Sequence, residues 1–175
     1  MQRAMGTRVA PRDGFGSRRG MAMAGPGLCA CFTGAVSETK IVREFSVPPE
    51  RLFDALADQD AMGSWMGAKI SVPVRGANGL VGTVRRVHAG RVTLDERIVA
   101  SEAPRFMAYE LVPPVPLLKR HRGELRVEPL AGGRSRLTWH ISLELRFGLD
   151  ALLLRALNRS IDTALGRLQR RLERS

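Results

Sequence analysis

The closing stretch FGLDALLLRALNRSIDTALGRLQRRLERS, residues 147–175, decides how the rest of the chain must fold. Leu149, Leu153, Leu157, Ile161, Leu165, Leu168 and Leu172 recur every three or four positions and draw one apolar stripe along a helix. Arg155, Arg159, Arg170, Arg171 and Arg174 fall largely on the other side. No proline interrupts the stripe, and Gly166 costs it only about 1 kcal/mol. At ~1.5 Å per residue such a helix runs roughly 40 Å, the width of a small domain. Its stripe needs a partner surface of matching length, and the segments before it supply a run of strands.

The first strand is Thr39–Val47, where Ile41, Arg43, Phe45 and Val47 alternate with Lys40, Val42, Glu44 and Ser46. Pro48 and Pro49 end it and open a short helix with Glu50 in the first turn and Leu52, Phe53, Leu56 and Ala57 on one face. Asp58–Met66 reads as a second short helix or turn carrying Trp65. Six more strands follow at Ala68–Val74, Val81–His88, Val92–Ala100, Arg105–Val112, Arg120–Glu128 and Arg134–Leu145, parted by turns rich in Gly, Pro and Asn. Connections this short make neighbouring strands antiparallel. The expected fold is therefore α+β: a curved seven-stranded antiparallel sheet wrapped around the long C-terminal helix, with two short helices after the first strand. A helix and a curved sheet need not touch everywhere, so a cavity between them is expected.

Composition limits the function classes. The chain has 175 residues and 44% hydrophobic residues, enough for one domain with a real core. No run approaches the ~18 apolar residues of a membrane span. Residues 1–37 show no period and read as a disordered basic tail, a non-functional extension that a start assigned upstream of Met21 or Met23 would account for; the ordered domain is expected at 38–175. Arg18-Arg19 followed by Met21–Cys31 has the outline of a lipid-attachment signal, but Gly25, Pro26 and Gly27 break its apolar part. Cys29 and Cys31 are too close for an ordinary structural disulfide and have no partners at metal spacing, so we expect a reducing, cytoplasmic setting, no metal and no cofactor. The net charge of +11 favours anionic partners. Lysine occurs only at Lys40, Lys69 and Lys119, however, so the arginines read first as compositional bias. They are expected on the solvent side of the last helix and on strand backs such as Arg97, Arg126 and Arg136, without forming one groove. Weak peripheral contact with an anionic membrane fits this charge. With one Tyr and two Trp, stacking on nucleic-acid bases does not.

Strand parity nominates site residues. The inward set is Val92, Leu94 and Ile98; Met107, Tyr109 and Leu111; Leu125 and Val127; and Leu137, Trp139, Ile141 and Leu143. Arg43, Glu96 and His121 share that parity, and Arg85 does so if Thr83 and Val87 face inward. Buried polar groups cost free energy unless they are paired or used. Arg43 with Glu96 could equally be a salt bridge, and His121 could lie at a wet rim. Tyr109 suits a hydrogen bond to a ligand or a core role, and Trp65 suits a cavity mouth or a core plug. Phe45, Trp139 and, on the helix, Leu153, Leu157 and Ile161 complete the candidate ligand surface. There is no phosphate-binding glycine loop and no nucleophile elbow.

The run Val47-Pro48-Pro49-Glu50-Arg51-Leu52-Phe53-Asp54-Ala55-Leu56-Ala57-Asp58, then Trp65, resembles the opening of the START-like or SRPBCC superfamily, especially its polyketide cyclase/dehydrase-type members. Gly79–Arg86, Asp95–Ile98, Pro104–Tyr109, Arg122–Leu125 and Arg136–Trp139 are similar to the later strands, in order. The resemblance implies the helix-grip fold and a cavity for a small hydrophobic ligand, lipid, polyketide-like or isoprenoid-like. It leaves open a cyclase or dehydrase acting in that cavity, and an interaction module with a filled interior. A cyclase would need acid–base groups inside: Glu96, His121 and Tyr109, with Arg43 or Arg85 holding an anionic substrate group.

Overall fold

The computed structural model describes residues 36–90, 92–116, 118–145 and 150–174. The tail expected at 1–37 lies outside them up to residue 35, as does Leu149 at the head of the stripe. The elements are β1 (Ser37–Phe45), α1 (Pro49–Ala57), α2 (Met62–Met66), β2 (Lys69–Val74), β3 (Val84–Ala89), β4 (Val92–Glu102), β5 (Phe106–Leu111), β6 (Leu118–Leu130), β7 (Arg134–Leu145) and α3 (Asp150–Arg174). The strands form one antiparallel sheet in the order β1-β7-β6-β5-β4-β3-β2. This is the helix-grip α+β arrangement. Among the described residues, no helix is long and apolar enough to cross a membrane.

Alternation decides which face of the sheet is covered. In β7, Ser135, Leu137, Trp139, Ile141, Leu143 and Leu145 are buried while the residues between them stay part-exposed. Register shifts interrupt the ladder at three places, and two of them bear on the site. One falls between Ile98 and Ala100 of β4, beyond Glu96. The other, between Leu118 and Arg120 of β6, lets Leu118 and His121 both turn inward although they are three residues apart. Val92 was expected inside, but it pairs with Ala89 at the tip of a hairpin and is 45% exposed.

The second half of α3 seats firmly. Ile161, Ala164, Leu165, Leu168 and Leu172 join Phe45, Leu52, Phe53, Leu56, Met62 and Trp65 in the main core. The first half departs from the sequence reading. Steps of four residues drift by about 40° each around a helix of 3.6 residues per turn, so by Leu153 the run has left the face held by Leu165. Leu154 takes the buried place, packing with Leu111, Leu118, Leu143 and Leu145, while Leu153 is 38% exposed. Polar clips fix α3 to β1: the Asn158 amide donates to the Thr39 hydroxyl at 2.8 Å, and Arg43 meets Asp162 at 2.6 Å.

Truncation should register this difference along α3. We expect Leu165→Ala to cost about 2–5 kcal/mol in urea unfolding. Leu152→Ala, at a position 68% exposed, should stay within about 0.5 kcal/mol of the parent.

Candidate functional site

Where the first half of α3 parts from the sheet, a cavity of about 180 Å³ remains. Its wall is mostly apolar: Met66 of α2 and Ile70 of β2, Val87 on β3 and Leu94 on β4, Ile141 and Leu143 on β7, and Leu153, Leu157 and Ile161 on α3. Leu153 lines the cavity and is itself exposed, so the cavity opens to solvent beside it. Four polar side chains break the apolar wall: Arg85, Glu96, Tyr109 and His121, all buried.

The sheet brings these four together. Arg85 of β3 lies directly opposite Glu96 of β4, and its Nε donates to Oε2 at 2.6 Å. The same guanidinium donates to the Gln59 side-chain oxygen at 3.1 Å and lies over the Tyr109 ring, with Cζ 4.1 Å from the centroid. His121 Nε2 stands 3.1 Å from the other Glu96 oxygen. An ionised carboxylate only accepts hydrogen bonds, so Nε2 carries a proton and Nδ1 is the nitrogen left over. The Trp139 indole donates to the Tyr109 hydroxyl at 3.2 Å, and the Tyr109 and His121 rings meet at 5.6 Å between centroids.

Electrostatics follow from these contacts. Burial alone would raise the Glu96 carboxyl. The Arg85 charge and the His121 hydrogen bond outweigh it and hold the group at about 2, against an ordinary 4.5. Glu96 is therefore a fixed anion and a poor base at neutral pH. Burial, then the nearby Glu96 charge, pushes the Tyr109 hydroxyl upward, so it remains neutral. His121 also borders an outer hollow with Pro114, Lys119 and Arg120, which puts its ring between the cavity and the outside.

Of the residues nominated by sequence, Arg85, Glu96, Tyr109, His121, Trp139, Leu153, Leu157 and Ile161 line this one cavity. Arg43, Phe45 and Trp65 stand elsewhere. Arg43 pairs with Asp162 and not with Glu96, while Phe45 and Trp65 are packed in the core. Sequence reasoning missed Gln59 and Met62, which complete the shell around Arg85. It also missed Gly123, which faces Tyr109 across β5 and β6. A Cβ there would run into the Tyr109 ring, so the bare strand lets the ring lie flat and reach Trp139. A lone glycine inside a strand was the available signal.

Comparison with known proteins agrees with this fold. Residues 35–173 match the family described as polyketide cyclase / dehydrase and lipid transport. The Zhui aromatase/cyclase from Streptomyces sp. R1128 superposes with a TM-score of 0.69 at 19% identity, over 80% of this chain and 95% of that one. A START superfamily protein from Mycobacterium smegmatis superposes with a TM-score of 0.68 at 12% identity, over 78% and 97%. No curated protein matches in sequence.

The depressed Glu96 group gives a pH signature. A carboxyl lower in the folded than in the unfolded state stabilises above its unfolded value, and that contribution fades as pH falls from about 4.5 to about 2. We expect Glu96→Gln to cost about 3–5 kcal/mol near neutrality, because Arg85 loses its partner. The variant should also lose part of the stability change between about pH 4.5 and pH 2, read from urea unfolding at stepped pH.

Proposed function

The chain belongs to the polyketide cyclase/dehydrase and lipid transport family, and from that premise we propose that it binds a small hydrophobic molecule between α3 and the sheet. The observation that carries this reading is the cavity itself, apolar along its length with its polar groups gathered in one cluster. Leu153, Leu157, Ile161 and Trp139 would contact the apolar body of the ligand, and Tyr109 and His121 its polar end. Arg85 and Glu96 spend their hydrogen-bonding capacity on each other and on Gln59 and His121, so they set the field of the polar end and are not its main contacts. The volume of 180 Å³ decides between ligand sizes. An apolar cavity of ~150 Å³ takes a benzene ring. One or two fused rings, or the leading end of a longer lipid or isoprenoid, therefore fit this space. We place the ligand-binding domain, residues 38–175, in the cytoplasm; Cys29 and Cys31 both precede it and offer no disulfide framework.

A second reading is catalysis of the cyclase or dehydrase kind in the same cavity. It is favoured by His121, held on one side by Glu96 and bordering both the cavity and the outer hollow. One protein of this fold is an aromatase/cyclase. Proton transfer by such a group is worth about 10²–10⁴ in rate. His121→Gln separates the readings: ligand uptake unchanged with turnover abolished favours catalysis, and no turnover by the parent favours binding alone.

The binding reading is tested with 2-naphthol as a ring-sized probe in titration calorimetry. We expect saturable binding by the parent, at least tenfold weaker in Leu157→Trp, whose indole would fill the cavity. Circular dichroism checks that the variant folds, and Ile161→Phe repeats the test at a second wall position. Equal binding by the parent and both folded variants, or none by the parent, would refute the reading.

A further inference from the structure

Arg167, Arg170, Arg171 and Arg174 follow i, i+3, i+4, i+7 spacing, which places them along one face of α3. With Ser64 of α2 they line a hollow of about 450 Å³. The sequence reading expected arginines scattered without a groove, and here four converge on one concavity. We propose that this hollow binds a phosphoryl group carrying at least two negative charges.

The surrounding structure positions two of the four guanidinium groups. Ser64 donates to the Ala61 carbonyl at 2.6 Å and accepts from Arg171, so one arginine is tied to α2. Gly67 ends α2 with φ +71°, and a side chain there would collide with the Arg167 guanidinium. The bare backbone gives Arg167 its place. Arginines elsewhere, such as Arg75, Arg86 and Arg136, each sit on a carboxylate. Arg167, Arg170 and Arg174 form no ion pair with any described residue. The negative end of the helix dipole accounts for cations in the last turn, at Arg171 and Arg174. It does not account for Arg167, nearly two turns earlier, or for all four sharing one face.

Like charges this close repel unless an anion sits among them. The planar guanidinium fork matches pairs of phosphate oxygens, and several forks around one hollow suit a multiply charged tetrahedral oxyanion better than a single carboxylate. Arg167 lies ten residues beyond Leu157, about 15 Å along the axis, so this site is separate from the apolar cavity. A soluble phosphorylated compound and an acidic phospholipid headgroup present the same chemistry.

The test uses the full chain with inorganic pyrophosphate, titrated by calorimetry at constant ionic strength held with chloride, so that screening is equal throughout. In parallel, the protein is sedimented with phosphatidylcholine vesicles, with and without phosphatidylglycerol. The comparison is the double variant Arg170→Gln/Arg174→Gln, in which both positions are exposed. We expect saturable pyrophosphate binding by the parent, at least tenfold weaker in the double variant, with 2-naphthol behaviour the same in both. Sedimentation that requires phosphatidylglycerol and is reversed by pyrophosphate would identify a headgroup as the source. Pyrophosphate binding without sedimentation would identify a soluble phosphoryl compound. No saturable binding in either arm, or binding undiminished in the double variant, overturns the proposal.

Discussion

Ile161, Leu165, Leu168 and Leu172 bury the second half of α3 against α1, α2 and the concave face of the sheet, and the remaining geometry follows from that contact. A nearly straight rod laid on a curved sheet can close on it over only part of its length. Here it closes where α1 and α2 add to the core and stands off over the cavity, whose wall runs from β2 to β7. At the standing end, Leu154 is buried in a small second cluster with Leu111, Leu118, Leu143 and Leu145. The cavity is the space between these two anchors.

A space lined only by leucine and methionine would tend to be filled by repacking. The Arg85–Glu96 pair works against this, because moving either group means breaking a hydrogen-bonded charge pair in a dry interior. Gln59, Met62, His121 and the Tyr109 ring complete that shell. Trp139 in turn is held by the Tyr109 hydroxyl. The polar cluster thus gives the wall a rigid part, and it leaves His121 as the member with a ring nitrogen to spare. Its chemistry depends on Glu96 staying ionised, which the neighbouring positive charge ensures.

Much of this was legible in the sequence, and the rest was hidden for physical reasons. Alternation in β7 and the prolines at the start of α1 pointed to the element order, and parity put Glu96 and His121 on the concave face, with Arg85 joining them on the condition that Thr83 and Val87 face inward. Parity cannot say which part of that face is filled. Arg43 and Phe45 share it, yet one is taken up by Asp162 on α3 and the other by the core, a choice made by where α3 comes to rest. The same long-range fact decides between Leu153 and Leu154, because a run of fours drifts around the helix. Gln59 and Met62 come from the segment before β2 and reach Arg85 only through tertiary packing. Gly123 alone carried a local signal that could have been read: a glycine in mid-strand, where Tyr109 needed room.

The claim that the space under α3 is a ligand site is tested most directly by native mass spectrometry of the protein purified from its own cells. The account predicts a species heavier than the bare chain by one apolar molecule, released when the protein is denatured. Bare protein that also takes up no apolar compound from a cell lipid extract would contradict it and would make the domain one with a filled or idle interior.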